Sequence, residues 1–379
     1  MMHQLQTIII AMFCLATLLF SQQTADALEA LLPGEMIRVA IIKNADAVTV
    51  AGDGLLAVNE SGRAQVFDYP LTVRAEYGRL AAGNDALRLL RLAASDTVLV
   101  NGKPYRGLVE LSLQGNKLLV VNELPLEQYL VGVITSEISS SWPMEAIKTQ
   151  AVIARTYAVV KKKERSTAFY HLESTVMDQA YNGSAAEDGR AARGVRETEG
   201  EVLTYNGEVI QAFYHANSGG RTEASENVWG MDLPYLRGVE CQYGLTSPTS
   251  SWELTLSLPR ITALLRANGQ RIGEIRDIKT GPRNNRSRLV TVLLVTNRGT
   301  ISMPATKFRM DIGSTSIKST NFSVRVEGDT AIFNGVGYGH GVGLCQYGAK
   351  QRALDGFSYD EILAYYYPGT QLNRLSDLK

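Results

Sequence analysis

Histidine and cysteine are scarce in this chain, with four and three in 379 residues. Gly-x-Ser-x-Gly, the Walker loop, His-Glu-x-x-His and Cys-x-x-Cys are all missing. Their absence argues against a nucleophile-elbow hydrolase, a P-loop nucleotidase, a zincin and a thioredoxin-type redox protein. Past residue 27 the histidines are His171, His215 and His340, and the cysteines are Cys241 and Cys345. These five are scattered, so no closed zinc site and no cofactor is expected. Charge of one sign is lacking too: 38 basic side chains face 38 acidic ones. A zero balance offers no electrostatic case for nucleic acid or for an anionic membrane surface. The basic run Lys161-Lys162-Lys163 reads as a solvated helix end. Catalysis, if there is any, must lean on carboxylates.

Long apolar runs are also absent, with one short exception. Ile8 to Phe20 is apolar but for Thr17, too short to cross a bilayer comfortably. Polar residues and then Ala25-Asp26-Ala27 follow it, the small-x-small pattern of a secretory signal cut after Ala27. The segment before the run has no Lys or Arg, which leaves an uncleaved membrane anchor as the alternative. Residues 1–27 therefore predict export to the periplasm or cell envelope. Such a compartment permits a disulfide between Cys241 and Cys345. Two separate buried thiols fit the sequence equally well.

The pattern then predicts an α+β protein. Residues 36–121 read as a small β-rich domain, with short apolar strands such as Arg38–Ile42 and Ala47–Val50. Asn101-Gly102 is a hairpin turn, because both central positions want a positive φ. Residues 122–372 read as a mixed α/β catalytic domain, within which 253–318 has the look of an inserted subdomain. One helix begins at Pro125 and carries Leu126, Leu130 and Val133 at helical spacing. A second runs from Pro143 to about Lys163, striped with Ile147, Ala151, Ala154 and Ala158. Asn206-Gly207 turns one strand into another over Val209 to His215, and the stretch 216–252 is long enough to suggest functional loops. Gly335, Gly337, Gly339, Gly341 and Gly343 alternate with larger residues. Period two predicts a glycine-rich strand with one bare face near the C-terminus.

Extending the first helical stripe lands on Glu137. A carboxylate on a buried face is desolvated, which penalises its charged form and suits a general acid. The competing reading is a structural ion pair, with Arg155 on the next helix as partner. Glu145 is a second acidic candidate, although a carboxylate in a first helical turn is explained by capping alone. Phe213 to Thr222 ends a strand in a polar turn, where His215, Ser218, Gly219 and Gly220 suit sugar hydroxyls or acetamides, or form an ordinary loop. His340, Gln346 and Tyr347 would sit at a strand-to-helix junction. Trp229 could stack on a sugar face or pack beneath a loop.

Several stretches together resemble the stage II sporulation protein D / amidase-enhancer family. They are Pro125–Leu130 with Gly132-Val133 and Ser136-Glu137, Glu145–Ala158, Phe213–Thr222, Asn227–Gly230, Leu233–Leu236, Gly337–Ala349 and Tyr365–Thr370. They run in order over roughly residues 120–372. The resemblance implies action on peptidoglycan: either lytic transglycosylation of peptide-denuded glycan strands, leaving 1,6-anhydro-muramyl ends, or non-catalytic enhancement of a cell-wall amidase. It places the family's catalytic acid at Glu137, in Ser136-Glu137-Ile138-Ser139 where the family's motif runs Ser-Glu-Met-Pro. Relatives with a structural zinc carry His-Cys just before a Gln-x-Tyr. Here Met177-Asp178 precedes Gln179-Ala180-Tyr181, which implies no metal. The resemblance names glycan strands, and possibly an amidase, as partners. A plain wall-anchoring module is a weaker third reading.

Overall fold

The computed structural model describes residues 34–378 apart from 84, 246, 248 and 249. The signal-like segment 1–27 thus lies outside the described residues. The chain forms two compact units. The first takes the chain up to Ser141 and again Ala154–Gly200, and the second takes Trp142–Ile153 and Glu201–Lys379.

Two antiparallel-rich sheets make up most of the first unit. The seven-stranded one centres on Met36–Ala45, Lys117–Pro125 and Leu108–Gln114, and the six-stranded one on Ala47–Ala51 and Leu71–Glu76. Their alternating apolar positions, among them Val39, Val48, Val73, Leu92, Val109 and Val121, are all but fully buried. Such alternation is what a strand with one face on a core requires. The Asn101-Gly102 turn forms as expected, with φ of 47° and 80°. Its second strand is only Lys103–Tyr105, however, and Leu108–Gln114 is a separate strand of the other sheet.

Strand Lys117–Pro125 passes straight into helix α1, Leu126–Glu137. Pro125 caps this helix in an extended conformation (φ −56°, ψ 137°) rather than forming its first turn. The buried stripe holds Leu126, Tyr129, Leu130, Gly132, Val133 and Ile134. Gly132 is obligatory there, because a Cβ would come within 2.8 Å of the Tyr181 ring and 2.9 Å of the Gly183 carbonyl. Helix α2, Met144–Glu164, contributes to both units, with the division after Ile153. Helix α3, Gly189–Glu197, also belongs to the first unit and is capped by Asp188, which accepts from the Arg190 and Ala191 amides.

The second unit has two apolar cores. One is built wholly from residues between Trp252 and Phe333. It is covered by the three-stranded sheets Ser251–Ser257/Thr330–Val336/Phe322–Glu327 and Ile275–Thr280/Thr291–Thr296/Gly299–Pro304. The other gathers Val152, Leu203, Tyr235, Val342, Leu344, Ile362 and Tyr366. Short helix α4, Ser225–Trp229, lies between the first motif of this unit and its later loops, and α5, Leu258–Ala267, and α6, Ala305–Ile312, belong to the Trp252–Phe333 core. Towards the C-terminus come α7, Gln346–Leu354, and α8, Tyr359–Tyr366.

Two expectations need correcting here. The strand foreseen over Val209 to His215 is reduced to Glu208–Val209 and the two-residue Tyr214–His215. The glycine-rich strand ends at Val336. Beyond it Gly337, Gly339, Gly341 and Gly343 have φ of 82°, 114°, 88° and 72°, a conformation no regular strand uses. The alternation records backbone turns and close approach instead: a Cβ on Gly343 would lie 1.9 Å from the Phe213 carbonyl oxygen.

Candidate functional site

Glu137 is the last residue of α1, with Ile138 extended after it. It is half-buried rather than fully desolvated, so the expected burial of its carboxylate is only partly realised. Its Oε1 accepts a 2.7 Å hydrogen bond from the Ala180 backbone amide. That amide sits in a strap, Asp178-Gln179-Ala180-Tyr181, whose every other member is pinned. Asp178 accepts from Arg165 (2.7 and 3.2 Å), from the Tyr157 hydroxyl (3.0 Å) and from the Glu173 amide (2.8 Å). Gln179, wholly buried, accepts from the Tyr129 hydroxyl at 3.1 Å and donates to the Ala154 carbonyl at 3.3 Å. Tyr181 donates to Asn122 at 2.9 Å and packs against Tyr129, ring centroids 5.0 Å apart. Burial raises the Tyr157 hydroxyl far above its ordinary range, and Asp178 adds to the effect. Tyr157 therefore stays a neutral donor at any working pH. The sequence offered one hint of this strap, the Gln179-x-Tyr181 pair. It gave none of the Asp178 network.

Arg155 is fully buried and forks onto Glu127, Nε to Oε1 and Nη2 to Oε2, both at 2.7 Å. A planar guanidinium on a carboxylate in this geometry is a strong structural pair. Nη2 also reaches the Val195 carbonyl at 3.3 Å, so Arg155 ties α2 to α1 and α3. The foreseen ion pair of Arg155 thus forms with Glu127 instead of Glu137, and Glu127 lies ten residues, about 15 Å of helical rise, before Glu137.

The remaining sequence candidates belong to the second unit. Glu145 caps a helix, but not its own: its Oε2 accepts from the Tyr359 amide at the start of α8 (2.9 Å), and Lys148 pairs with its Oε1 (3.1 Å). Placing a carboxylate there satisfies an otherwise orphaned amide, a capping role at a helix other than the one expected. The motif segments 213–223 and 337–345 run side by side. Tyr214–His215 pairs in parallel with Leu344–Cys345, Asn217 bridges Tyr338 and Glu223 bridges Val342. His215 and Ser218 are buried, so they form the wall's interior rather than an open lining. His215 Nδ1 bonds the Val342 carbonyl at 3.1 Å, and burial next to His340 and Arg288 drives its pKa far down. Gly219 and Gly220 have φ of 72° and 112°, which lets the turn pass close beside Val336 and Gly337.

His340 accepts from the Val342 amide through Nδ1 at 3.1 Å. Burial, followed by Arg309 and Arg288, lowers it to about 3, so it is a neutral imidazole. It packs 5.0 Å from the ring of Trp229, which lies 4.5 Å from Phe213. Trp229 nevertheless remains 41% exposed, enough to offer a ring face. Gln346 is buried and donates to Gln150 at 3.3 Å. Tyr347 is half-buried and packs 5.3 Å from Trp142. Trp142, with Lys350 Nζ 5.3 Å over its ring, was not singled out from the sequence. A lone Trp five residues after the candidate acid was the available signal.

Sequence reasoning also missed Glu223 and Arg288. Glu223, 1% exposed, accepts from the Ala224 amide, Asn227 Nδ2 and Asn284 Nδ2 at 2.8, 2.8 and 2.6 Å. Arg288 is buried, with its Nε 4.0 Å from Glu223 and its Nη2 2.9 Å from the Ser218 carbonyl. Cys241 and Cys345 are both buried and free, as two neighbouring thiols rather than a disulfide. Burial, and then the Cys241 thiol, pushes Cys345 well up, so Cys345 is not a reactive thiolate. Among the described residues no cluster of three or more His, Cys, Asp or Glu could hold a metal.

Comparison with known proteins adds the family. Residues 114–205 match the stage II sporulation protein family profile, and residues 237–343 match a domain of unknown function (DUF8618). An uncharacterised protein of Brachyspira hyodysenteriae is 34% identical over 280 residues, 73% of this chain and 74% of its own. The amidase enhancer of Bacillus subtilis is 32% identical over 291 residues, 64% of this chain but only 40% of its own length. Stage II sporulation protein D of Bacillus subtilis is 29% identical over 271 residues, 67% of this chain and 76% of its own. On the profile over residues 114–205 and these identities, this chain belongs to the stage II sporulation protein D / amidase-enhancer family.

Proposed function

We propose that the protein is an exported peptidoglycan lytic transglycosylase with Glu137 as its acid. One observation carries the reading. The carboxyl group at the family's acid position is half-exposed and held at 2.7 Å by a backbone amide that is itself rigidly mounted. A general acid must reach substrate and yet be fixed in direction. In the proposed reaction Glu137 protonates the glycosidic oxygen between N-acetylmuramic acid and N-acetylglucosamine. The bond to the anomeric carbon breaks, and the conjugate base then takes the proton of the muramyl 6-hydroxyl as that oxygen closes on the same carbon. A single carboxylate suffices, because the sugar's own hydroxyl replaces water. Within the second unit, the exposed face of Trp229 is a ring surface of the kind on which sugars stack.

Export rests on the signal-like residues 1–27, with glycan strands of the cell envelope as the substrate. Digestion of peptide-denuded glycan followed by mass analysis tests the assignment. Anhydro-muramyl ends are expected from the wild type and not from Glu137→Gln, and equal product from both overturns it. A second reading is favoured by the 32% identity to an amidase enhancer: a glycan-binding protein that stimulates a cell-wall amidase without cutting glycan. Faster amidase turnover with no anhydro product would establish that reading instead.

A further inference from the structure

A cleft of about 580 Å³ opens in the second unit, apart from the glycine turns. Its walls are Ser225–Asn227 of α4, Asp232, Leu236 and Arg237 on one side, and the loop Asn284–Arg286 on the other. Both walls hang on one buried group. Glu223 holds Asn227 of the first wall and Asn284 of the second, at 2.8 and 2.6 Å. Asn284 in turn accepts from the Arg286 and Arg288 amides at 3.0 Å each. Arg286 Nη2 crosses back to the Arg237 and Gly238 carbonyls at 3.1 and 3.2 Å. The cleft is thus built in advance, which reduces the ordering cost of binding.

Its chemistry selects among ligands. No aromatic ring lines it, whereas sugar subsites rely on ring faces. Arg237 and Arg286 share the lining with Glu226 and Asp232, and with Asn227, Asn284 and Asn285. Arg237 and Asp232 are both mostly exposed and only loosely paired, at 3.5 Å, so either can exchange its partner for a ligand at little loss. Two cations, two anions and amides complement a ligand that carries carboxylates, ammonium groups and peptide bonds together. We propose that this cleft binds short zwitterionic peptides of the kind that stem from peptidoglycan. The inference rests on the cell-wall reading above for the source of the peptide, but not on Glu137 being an acid.

The probe is the free tetrapeptide L-alanyl-γ-D-glutamyl-meso-diaminopimelyl-D-alanine, titrated calorimetrically into the full chain at low and at physiological salt. Saturable, salt-weakened binding is expected, about tenfold weaker in Arg237→Glu and about threefold weaker in Asn285→Ala. Both positions are exposed, so the variants should fold as the wild type does. Glu137→Gln should bind the peptide unchanged. Absence of binding up to about 5 mM, affinity indifferent to both substitutions, or displacement of the peptide by peptide-free glycan overturns the proposal. A protein that binds the peptide but makes no anhydro ends loses the transglycosylase reading alone. One that cuts glycan and ignores the peptide loses the cleft alone.

Discussion

Asp178→Ala is the sharpest test of how Glu137 is held. The Asp178 side chain is 4% exposed and joins Arg165, Tyr157 and Glu173 through four hydrogen bonds. Each charge-assisted bond contributes about 1.5–3 kcal/mol in isolation. Their sum overstates the loss, because Arg165 is 34% exposed and can turn to water. The Tyr157 hydroxyl and the Glu173 amide have less recourse. About 3 kcal/mol of destabilisation is therefore expected. The functional loss should be of comparable size and of separate origin. Ala180 lies two residues beyond Asp178, and a 1 Å misplacement of a positioning group costs on the order of 100-fold in rate. Urea unfolding measures the first quantity. Anhydro-end formation, under conditions where the variant is still folded, measures the second. Deuterium exchange at the Ala180 amide provides a readout independent of catalysis and should quicken about 100-fold. A folded Asp178→Ala protein with wild-type exchange at Ala180 and wild-type cleavage would refute the idea that this network aims the acid.

Three further outcomes follow from the same geometry. Arg155→Ala should destabilise by about 2–3 kcal/mol, because it removes a fully buried side chain and its bidentate bonds while Glu127, 32% exposed, can turn to water; Arg155→Met should recover a large part, as seen in unfolding midpoints. Glu145→Ala should cost about 1 kcal/mol through the lost contact with the α8 amide and leave glycan cleavage within twofold, whereas a tenfold drop would restore Glu145 to the site. Stability should fall as pH falls from about 6.5 towards 4, because burial, with Lys162 and Arg38 adding, lowers His171 to about 4. The unfolded chain binds the proton first in that window, so the neutral imidazole's contribution, on the order of 3 kcal/mol, is complete above 6.5 and lost below 4. Acid titration of unfolding free energy, compared with His171→Asn, should show a shallower slope in the variant.

Local pattern made much of this molecule legible. The Asn101-Gly102 and Asn206-Gly207 turns, the stripe of α1 and the span of α2 each follow from propensities acting within a few residues. Glu137 was legible through its position in a motif. What aims it was not, because Asp178 and Ala180 lie some forty residues away and act through a backbone amide, which no side-chain pattern records. The glycine turns were misread for a related reason. Period two and positive φ leave the same trace when every second residue is glycine, and only the neighbouring backbone distinguishes them. Arg155 and Glu145 were correctly seen as charged and near helices, but their partners Glu127 and Tyr359 are set by tertiary packing.

The pairing of Ser251 with Val336 has a consequence for how such a chain can vary. The whole stretch from 252 to 335 leaves and re-enters at neighbouring rungs of one antiparallel ladder, so its own size imposes no separation on the segments that flank it. Asn217 and Tyr338 could keep their bridge if that stretch were lengthened, trimmed or exchanged for a tight hairpin. Glu223 would register the change most, because its partners there are charged or amide side chains, whereas the Ser218, Arg237 and Gly238 carbonyls that Arg288 and Arg286 reach can turn to water. Asn284 and Arg288 reach it from within the stretch, and a shortened chain would have to lose or re-pair that one buried carboxylate. In relatives with a shorter stretch, a neutral residue at the position of Glu223 is the expected accompaniment.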